Sequence, residues 1–302
     1  MQFFGFERPR CISTLAMVDP TTALTTAIEN STKVASTPLF STVIDKLLGF
    51  KISEWKAQGD VIKKQILDGY EDAKQKGLGV QYVSAFRSNT NLINIGVKAA
   101  DYIDDKKTND ISFENDFFWG MLDHAKDISN EEMQTLIAKI IAGEYNKPGT
   151  YSMGTLQVIK MLGREELRLF ENLCVLIING DQIPQELFSL PESAKGIMNK
   201  LQVDFGSLQM LQSLGLFLPN DMARSMDNPD GEKFKVIYFN KHILFEPITP
   251  ENKNSLKIEM PGFYGLSPVG RQILQHLNSE GDNDYFDWLK KNYKLPNYKI
   301  VE

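Results

Sequence analysis

The chain has 302 residues, of which 42% are hydrophobic and 24% charged, and its formal net charge at pH 7 is -6. This is the composition of a globular protein of about two domains, with a core large enough to fold without disulfides or metals. The negative charge argues against a general affinity for nucleic-acid backbones, and two cysteines do not make a disulfide framework.

The N-terminal residues lack the pattern of a signal peptide, and no apolar run reaches the ~18 residues of a membrane span. We therefore expect a cytoplasmic protein. Asp19 followed by Pro20 is typical of a helix start, because aspartate caps the first turn and proline suits the first helical position. Residues 1–16 are accordingly expected to be an upstream extension outside the fold.

A helical pattern extends from Pro20 to about Lys76, with a second helix start at Thr37 and Pro38. Within it, residues 38–70 are amphipathic. Such a surface either packs against protein or lies on a membrane, and the second alternative is weakened by acidic residues among the lysines. Another helix is predicted in residues 85–105, and the polar residues 104–110 read as a linker.

The stretch ISNEEMQTLIAKIIAGEYNKPGTYS, residues 128–152, reads as a helix, a turn and the start of another helix. Ser129 with Glu132 has the spacing of a capping box, and Ser152 is placed to cap the second helix. One interpretation is that the turn only makes a compact helix corner. The other is that it also binds a partner, through a candidate interaction surface of Glu144, Asn146, Pro148 and Gly149.

Beyond residue 180 the pattern changes to short helices and strands. Two short helices, in residues 191–201 and 207–217, precede a hairpin in residues 233–248 that turns at Asn240 and Lys241. LKIEMP adds a strand, Ser267 and Pro268 open a helix, and residues 284–295 form a terminal helix. This order resembles a winged-helix arrangement.

The predicted fold class is therefore mainly α, with a multi-helix N-terminal and central region and a C-terminal winged-helix-like part that contains a small antiparallel β-hairpin. The predicted divisions are residues 1–16, an N-terminal helical region of 17–110, a central helical core of 111–180, and a winged-helix-like region of 181–302.

A winged-helix-like part admits an alternative function, that of a nucleic-acid-binding regulator. Its phosphate contacts would be Lys233, Lys235 and Lys241. The helix that would enter a groove has glutamines but neither lysine nor arginine, so a structural or protein-contact role is favoured.

No pattern in the chain predicts catalysis, a metal or a cofactor. The three histidines, His124, His242 and His276, are far apart and lack partners at zinc-ligand spacing. The acidic clusters do not match a calcium-binding loop, and there is no phosphate-binding glycine loop, dinucleotide fingerprint or nucleophile elbow. Cys174, in an apolar run, is predicted to be buried and inert. These observations favour a protein that is not an enzyme.

The central stretch resembles a bacterial family catalogued as domain of unknown function 2806 (DUF2806). The similarity is strongest over residues 87–178 and lies in an aspartate-led "D-I-S-N-E-E-M-Q" opening, an "I-A-G-E" helix end, a "P-G-T-Y-S" turn and an "E-E-L-R-L-F-E-N-L-C" helix. The matching positions are residues 127–134, 141–144, 148–152 and 166–174.

This resemblance implies no established activity, cofactor or catalytic residue. A looser similarity to helical proteins of abortive infection and phage defence implies a bacterial defence setting. The leading expectation is a non-enzymatic interaction or scaffold protein that binds another protein or itself. Nucleic-acid binding and peripheral membrane association through residues 38–70 are the alternatives.

Overall fold

The computed structural model describes Asp68 and residues 71–72, 74–103, 116–228, 230–248 and 257–301. Helices make up 54% of these residues and strands 20%, arranged in two three-stranded antiparallel sheets. The prediction of a mainly α fold is therefore wrong, and the described part of the chain is mixed α and β. The C-terminal region, predicted to be winged-helix-like with one small antiparallel β-hairpin, contains both sheets.

The chain divides into two compact units, residues 1–97 and 98–302. The described part of the first unit ends in helix α1 (Gly79–Ala100), which confirms the helix predicted in residues 85–105 and continues into the second unit. Several predictions lie outside the described residues: the helix starts at Asp19 and Pro20 and at Thr37 and Pro38, the extension 1–16, the linker 104–110, and the amphipathic residues 38–70 apart from Asp68.

After the end of α1, the described part of the second unit continues with four helices: α2 (Asp116–Ala125), α3 (Glu131–Asn146), α4 (Met153–Met161) and α5 (Arg164–Cys174). Helix α2 packs against α3 and α4, and α3 against α5. The predicted cap of α3 is corrected by one residue: Asn130, not Ser129, accepts a hydrogen bond from the Met133 amide at 3.0 Å. Ser152 caps α4 as predicted, through the Thr155 amide at 3.2 Å.

The first sheet has the strand order β1–β5–β2. Its strands are β1 (Gln182–Pro184), β2 (Phe217–Asp227) and β5 (Lys257–Leu266), and β5 pairs antiparallel with both neighbours. The sequence indicated only the first half of β5 and neither of its partners. Beyond residue 218 almost every side chain of β2 is exposed, so this strand carries no hydrophobic alternation by which it could have been recognised.

The second sheet has the order β3–β4–β6, with β3 (Phe234–Tyr238), β4 (Lys241–Pro247) and β6 (Tyr298–Val301). The predicted hairpin is its β3–β4 pair. The turn lies one residue earlier than predicted, at Phe239 and Asn240, because Tyr238 pairs with Lys241. Phe239 has a φ of 48°, the left-handed conformation that such two-residue turns require.

Short helices connect and cover the two sheets. Helices α6 (Glu186–Ser189), α7 (Pro191–Leu201) and α8 (Phe205–Ser213) lie between β1 and β2, and α9 (Pro268–Leu274) follows β5. Ser267 caps α9 and Pro268 opens it, as predicted. Helix α10 (Asn283–Asn292), also predicted, packs on α7 and buries Tyr285, Trp288 and Leu289.

Candidate functional site

The turn between α3 and α4 is held from inside by a buried carboxylate. Glu144, in the last turn of α3, is only 1% exposed. Its Oε1 accepts a hydrogen bond from the amide of Gly149 at 2.7 Å, and its Oε2 accepts from the amides of Thr150 at 3.1 Å and Tyr151 at 3.2 Å. Three amides on one carboxylate satisfy groups that the turn would otherwise leave unpaired, so Glu144 fixes the shape of this loop.

Tyr151 leaves the turn and packs over the end of α3. A Cβ on Gly143 would lie 2.5 Å from the Tyr151 hydroxyl oxygen, so a larger residue there would displace the Tyr151 side chain. The opposite neighbour of the ring is Phe117 of α2, stacked at a centroid distance of 5.4 Å. Burial, with a further contribution from Glu144, raises the pKa of Tyr151 to about 12, so its hydroxyl stays protonated at neutral pH.

The Tyr151 hydroxyl contacts His276, which follows the C-terminal cap of α9. Its oxygen lies 2.5 Å from Nε2 of His276. Lys139 of α3 approaches the same residue from another side, because its Nζ donates to the His276 carbonyl oxygen at 2.6 Å and to Asn278 Oδ1 at 3.4 Å. Burial, and then the charge of Lys139, lower the pKa of His276 to about 4. The imidazole is therefore neutral at pH 7, and the pair is a structural hydrogen bond between α4's leading turn and the C-terminal part.

Lys139, His276 and Asn278 border an open cleft of about 450 Å³ between α3, α5 and the residues after α9. Leu136 and Leu167 are both buried and form apolar lining. Polar and charged side chains make up most of the remaining lining: Asn130, Glu131, Glu132, Thr135, Lys139, Arg164, Glu171, His276 and Asn278. Burial, reinforced by Glu132, raises the pKa of Glu171.

The four residues of the predicted interaction surface differ in how exposed they are. Glu144 lies inside the turn, and Asn146 is half-buried with its side-chain amide donating to the Tyr102 carbonyl oxygen at 2.9 Å. Pro148 and Gly149 are exposed, and Gly149 has a φ of 81°. Any contact with a partner would thus be made by the outer residues of the turn, with Glu144 as their support.

The three lysines predicted as phosphate contacts lie at the β3–β4 hairpin but have different surroundings. Lys233 forms an ion pair with Glu246 at 3.3 Å, and Lys235 is exposed on β3. Lys241 is half-buried, hydrogen-bonds to the side chain of Asn283, and lies 5.0 Å from the ring centroid of Phe286. Of the three, Lys235 alone has no ion pair or side-chain hydrogen bond among the described residues, so the three do not form one cluster of free charge.

The sequence interpretation did not identify Lys139, Tyr151 and His276 as neighbours. Tyr151 and His276 are 125 residues apart in the chain, and Lys139 and His276 are 137 apart. The one available signal was the aromatic residue after the Pro-Gly turn, which a helix corner alone does not require.

Other reactive side chains offer no alternative centre. Within the described ranges, no group of three or more His, Cys, Asp or Glu side chains is placed to hold a metal ion. Cys174 is buried, and burial raises the pKa of its thiol well above the ordinary value, which makes it a poor nucleophile. Among the helices of the described residues, none has the length and apolar character needed to cross a membrane.

In comparisons with known proteins, the chain matches one family model. The model described as "Protein of unknown function (DUF2806)" matches residues 81–290, which include the Glu144 turn, the cleft and both sheets up to β5. No curated protein and no solved structure matches the chain significantly.

Proposed function

Because the chain belongs to the DUF2806 family, whose function is unknown, we propose a function from the surface of its described residues: it is a non-enzymatic protein-interaction or scaffold protein. The observation that carries this proposal is an exposed surface formed by the turn residues Lys147, Pro148 and Gly149 and by the outward residues of α4. We call it the turn–α4 surface. Its α4 residues are Met153, Gln157, Lys160 and Met161.

The turn–α4 surface combines a rigid turn with apolar side chains in water. Met153, Gln157 and Met161 are four residues apart in succession and share one face of α4. Met153 is 48% exposed and Met161 54% exposed. Methionine adapts to irregular apolar partners, and its exposure on a helix is typical of binding surfaces.

The fixed shape of the turn also favours binding. The three hydrogen bonds to Glu144 order the turn before a partner arrives, which reduces the entropy lost on association. Lys147 and Lys160 are exposed at either end of the surface. The partner that fits is therefore a protein segment with apolar side chains flanked by carboxylates.

The proposal is tested by affinity purification of the tagged full chain from a bacterial host at low salt, with mass spectrometry of the bound proteins. The test variant carries Met153→Glu and Met161→Glu. The matched control is Met226→Glu, since Met226 is also an exposed methionine, 37% exposed, but lies on β2. We expect a protein retained by the wild type and the control to be lost from the double variant.

Equal retention of all proteins by the three forms would overturn the proposal. If the retained protein is the chain itself, sedimentation of the purified forms should show the double variant as the smaller species. For the biological setting we propose bacterial phage defence or abortive infection, supported only by the looser sequence resemblance.

A second candidate function, nucleic-acid binding, is supported by one face of the second sheet. Glu246 and Lys299 are directly opposite on β4 and β6, and Lys235 is opposite Leu244, two residues from Glu246. Directly paired residues share a face, so Lys235 and Lys299 project on the same side, and Lys233 joins them through its ion pair with Glu246. Three lysines thus surround one carboxylate.

This alternative is tested by titrating the purified chain with labelled single- and double-stranded oligonucleotides at low salt. Phosphate contacts predict binding that weakens steeply as salt is raised and that is reduced in Lys235→Gln. Titrations that show no binding at low salt would exclude the nucleic-acid-binding alternative. The remaining alternative, membrane association through residues 38–70, rests almost wholly on residues outside those described.

A further inference from the structure

The cleft between α3 and α5 contains two opposite charges that do not contact each other. Lys139 and Glu171 both line it and both are half-buried. In the described part of the chain, neither side chain has an oppositely charged group within 4.0 Å. Lys139 instead donates to neutral oxygens, the His276 carbonyl and the Asn278 side-chain amide, and its Nζ lies 5.8 Å from the ring centroid of Tyr102.

The other charges of the cleft are already paired. Glu132 accepts from Arg164 Nε at 3.2 Å, and Glu131 forms an ion pair with Lys98 at 3.3 Å. Both pairs are at the rim: the side chain of Glu131 is 87% exposed and that of Arg164 63%. His276 is neutral at pH 7, as shown above. Lys139 and Glu171 are therefore the two charges of the cleft that a ligand could still satisfy.

A half-buried charge without a counter-ion in contact is costly, because it has lost part of its hydration without gaining an ion pair. The pKa of Glu171 is raised, because burial and the negative charge of Glu132 outweigh the opposing effect of the positive charge of Lys139, which acts across the cleft without contact. A ligand ammonium beside Glu171 and a ligand carboxylate beside Lys139 would each supply the missing partner. Leu136, Leu167 and Leu277 offer apolar lining for the rest of such a ligand.

We propose that this cleft binds a small zwitterion with an apolar portion, its ammonium paired with Glu171 and its carboxylate with Lys139. A free amino acid and a short peptide both have this chemistry, and a volume of about 450 Å³ accommodates either. They differ in the separation of the two charges. The site shares no residue with the turn–α4 surface, so the failure of one proposal leaves the other standing.

The test is a ligand-observed NMR titration of the full-length chain with two probes, L-leucine and L-leucyl-L-leucine. The uncharged control probe is N-acetyl-L-leucine amide. The main variant is Glu171→Gln, because Glu171 makes no hydrogen bond within the described residues that its loss would break. The matched control variant is Glu165→Gln, on the same helix α5, where the carboxylate is exposed and paired with Arg168.

We expect the wild type and Glu165→Gln to bind at least one charged probe, and Glu171→Gln to bind it at least about tenfold more weakly, since one lost ion pair is worth that much. Lys139→Met should weaken binding similarly and Lys139→Arg should preserve it, with thermal unfolding used to verify that each variant is folded. Tighter binding of leucine would identify the amino acid as the ligand class, and tighter binding of the dipeptide would identify the peptide. Binding of neither probe by the wild type, equal binding of the uncharged probe, or unchanged affinity in Glu171→Gln would overturn the proposal.

Discussion

At the scale of single residues, Glu144 shows how one buried side chain can organise a turn without being on its surface. A carboxylate with three amide donors is worth more than three isolated hydrogen bonds to water, because its donors are held in place by the chain that it folds. The sequence identified Glu144 and the Pro-Gly turn as belonging together. It did not indicate that the carboxylate points inward, since the amides that it binds come from the loop backbone and leave no pattern in side-chain types.

Replacing Glu144 tests this role. Glu144→Ala leaves three amides of the turn without their acceptor and should lower the free energy of unfolding by about 3 kcal/mol or more. Glu144→Gln keeps one acceptor oxygen and should cost less. Denaturant unfolding measures both, with the exposed Glu165→Gln as control. A loss in Glu144→Ala no larger than in that control would contradict the assigned role.

His276 provides a prediction about pH. Its pKa is lowered from the ordinary value of 6.5 to about 4, so between these values the unfolded chain takes up a proton that the folded chain does not. Protonation then favours unfolding: the stability that this group contributes is fully present above about pH 6.5 and is lost as pH falls toward 4. His276→Gln, which cannot ionise, should flatten the pH dependence of stability in that window.

The measurement is the midpoint of denaturant unfolding at several pH values from neutral to 4. His242→Gln is the matched control, because His242 is exposed on β4. An identical slope in the wild type and His276→Gln would show that burial of His276 does not affect its protonation.

At the scale of elements, the predictions from sequence were most accurate where residues close together in the chain define the structure. Ser152 and Ser267 were recognised as helix caps because a cap requires only a hydroxyl and an amide three residues later. Strand β2 was missed because its definition is non-local. It contains Pro219, exposes nearly all its side chains beyond residue 218, and is a strand only through its pairing with β5, some 40 residues later by number.

Helix α9 packs so closely on a neighbouring backbone segment that one of its positions, Gly270, has no room for a side chain. A Cβ on Gly270 would overlap the Leu216 carbonyl oxygen, and that oxygen already accepts the Ser267 amide at 3.0 Å. The first turn of α9 therefore lies directly on the backbone that connects α8 to β2. This backbone segment cannot move aside for a new side chain as easily as the end of a flexible side chain could.

Gly270→Ala should consequently destabilise the chain by about 2 kcal/mol or more, through the strain of overpacking. Gly196 is the matched control, since it is also helical, in α7, and a Cβ there would meet no atom within 4 Å. Gly196→Ala should be neutral or stabilising by up to about 1 kcal/mol, because alanine is the better helix former. Thermal unfolding of the two variants compares them, and similar shifts in both would contradict the packing argument.

At the scale of the whole molecule, the second unit is held together by contacts between segments that are distant in sequence. The segment between α5 and β1 is the main example. The Asp181 carbonyl accepts the Leu266 amide at 2.8 Å, and its carboxylate pairs with Arg271 of α9 at 3.0 Å. Two residues earlier, the same segment contacts the other sheet. None of these pairings has a local sequence signature. The arrangement of the two sheets therefore could not be predicted from the sequence, although most of the helices could.

Asn179 makes the contact with the second sheet. Its amide donates to the Ile237 carbonyl oxygen at 2.8 Å, and the Ile237 amide donates to Asn179 Oδ1 at 2.9 Å. Asn179 thus pairs beside β3 and extends the sheet by one residue, at the edge that has no neighbouring strand among the described residues. Its φ of 51° is a conformation that asparagine tolerates better than most residues.

Two substitutions separate the side-chain bond from the backbone conformation. Asn179→Ala loses the acceptor for the Ile237 amide and also places alanine at a positive φ, so we expect a loss of about 2 kcal/mol. Asn179→Gly loses the same acceptor but accepts the conformation, so it should be the less destabilised of the two. Native-state hydrogen exchange followed by NMR should show faster exchange of the Ile237 amide in both variants, because the acceptor is absent from both. If that amide stayed protected in both variants, the edge of β3 would be held by something other than the Asn179 side chain.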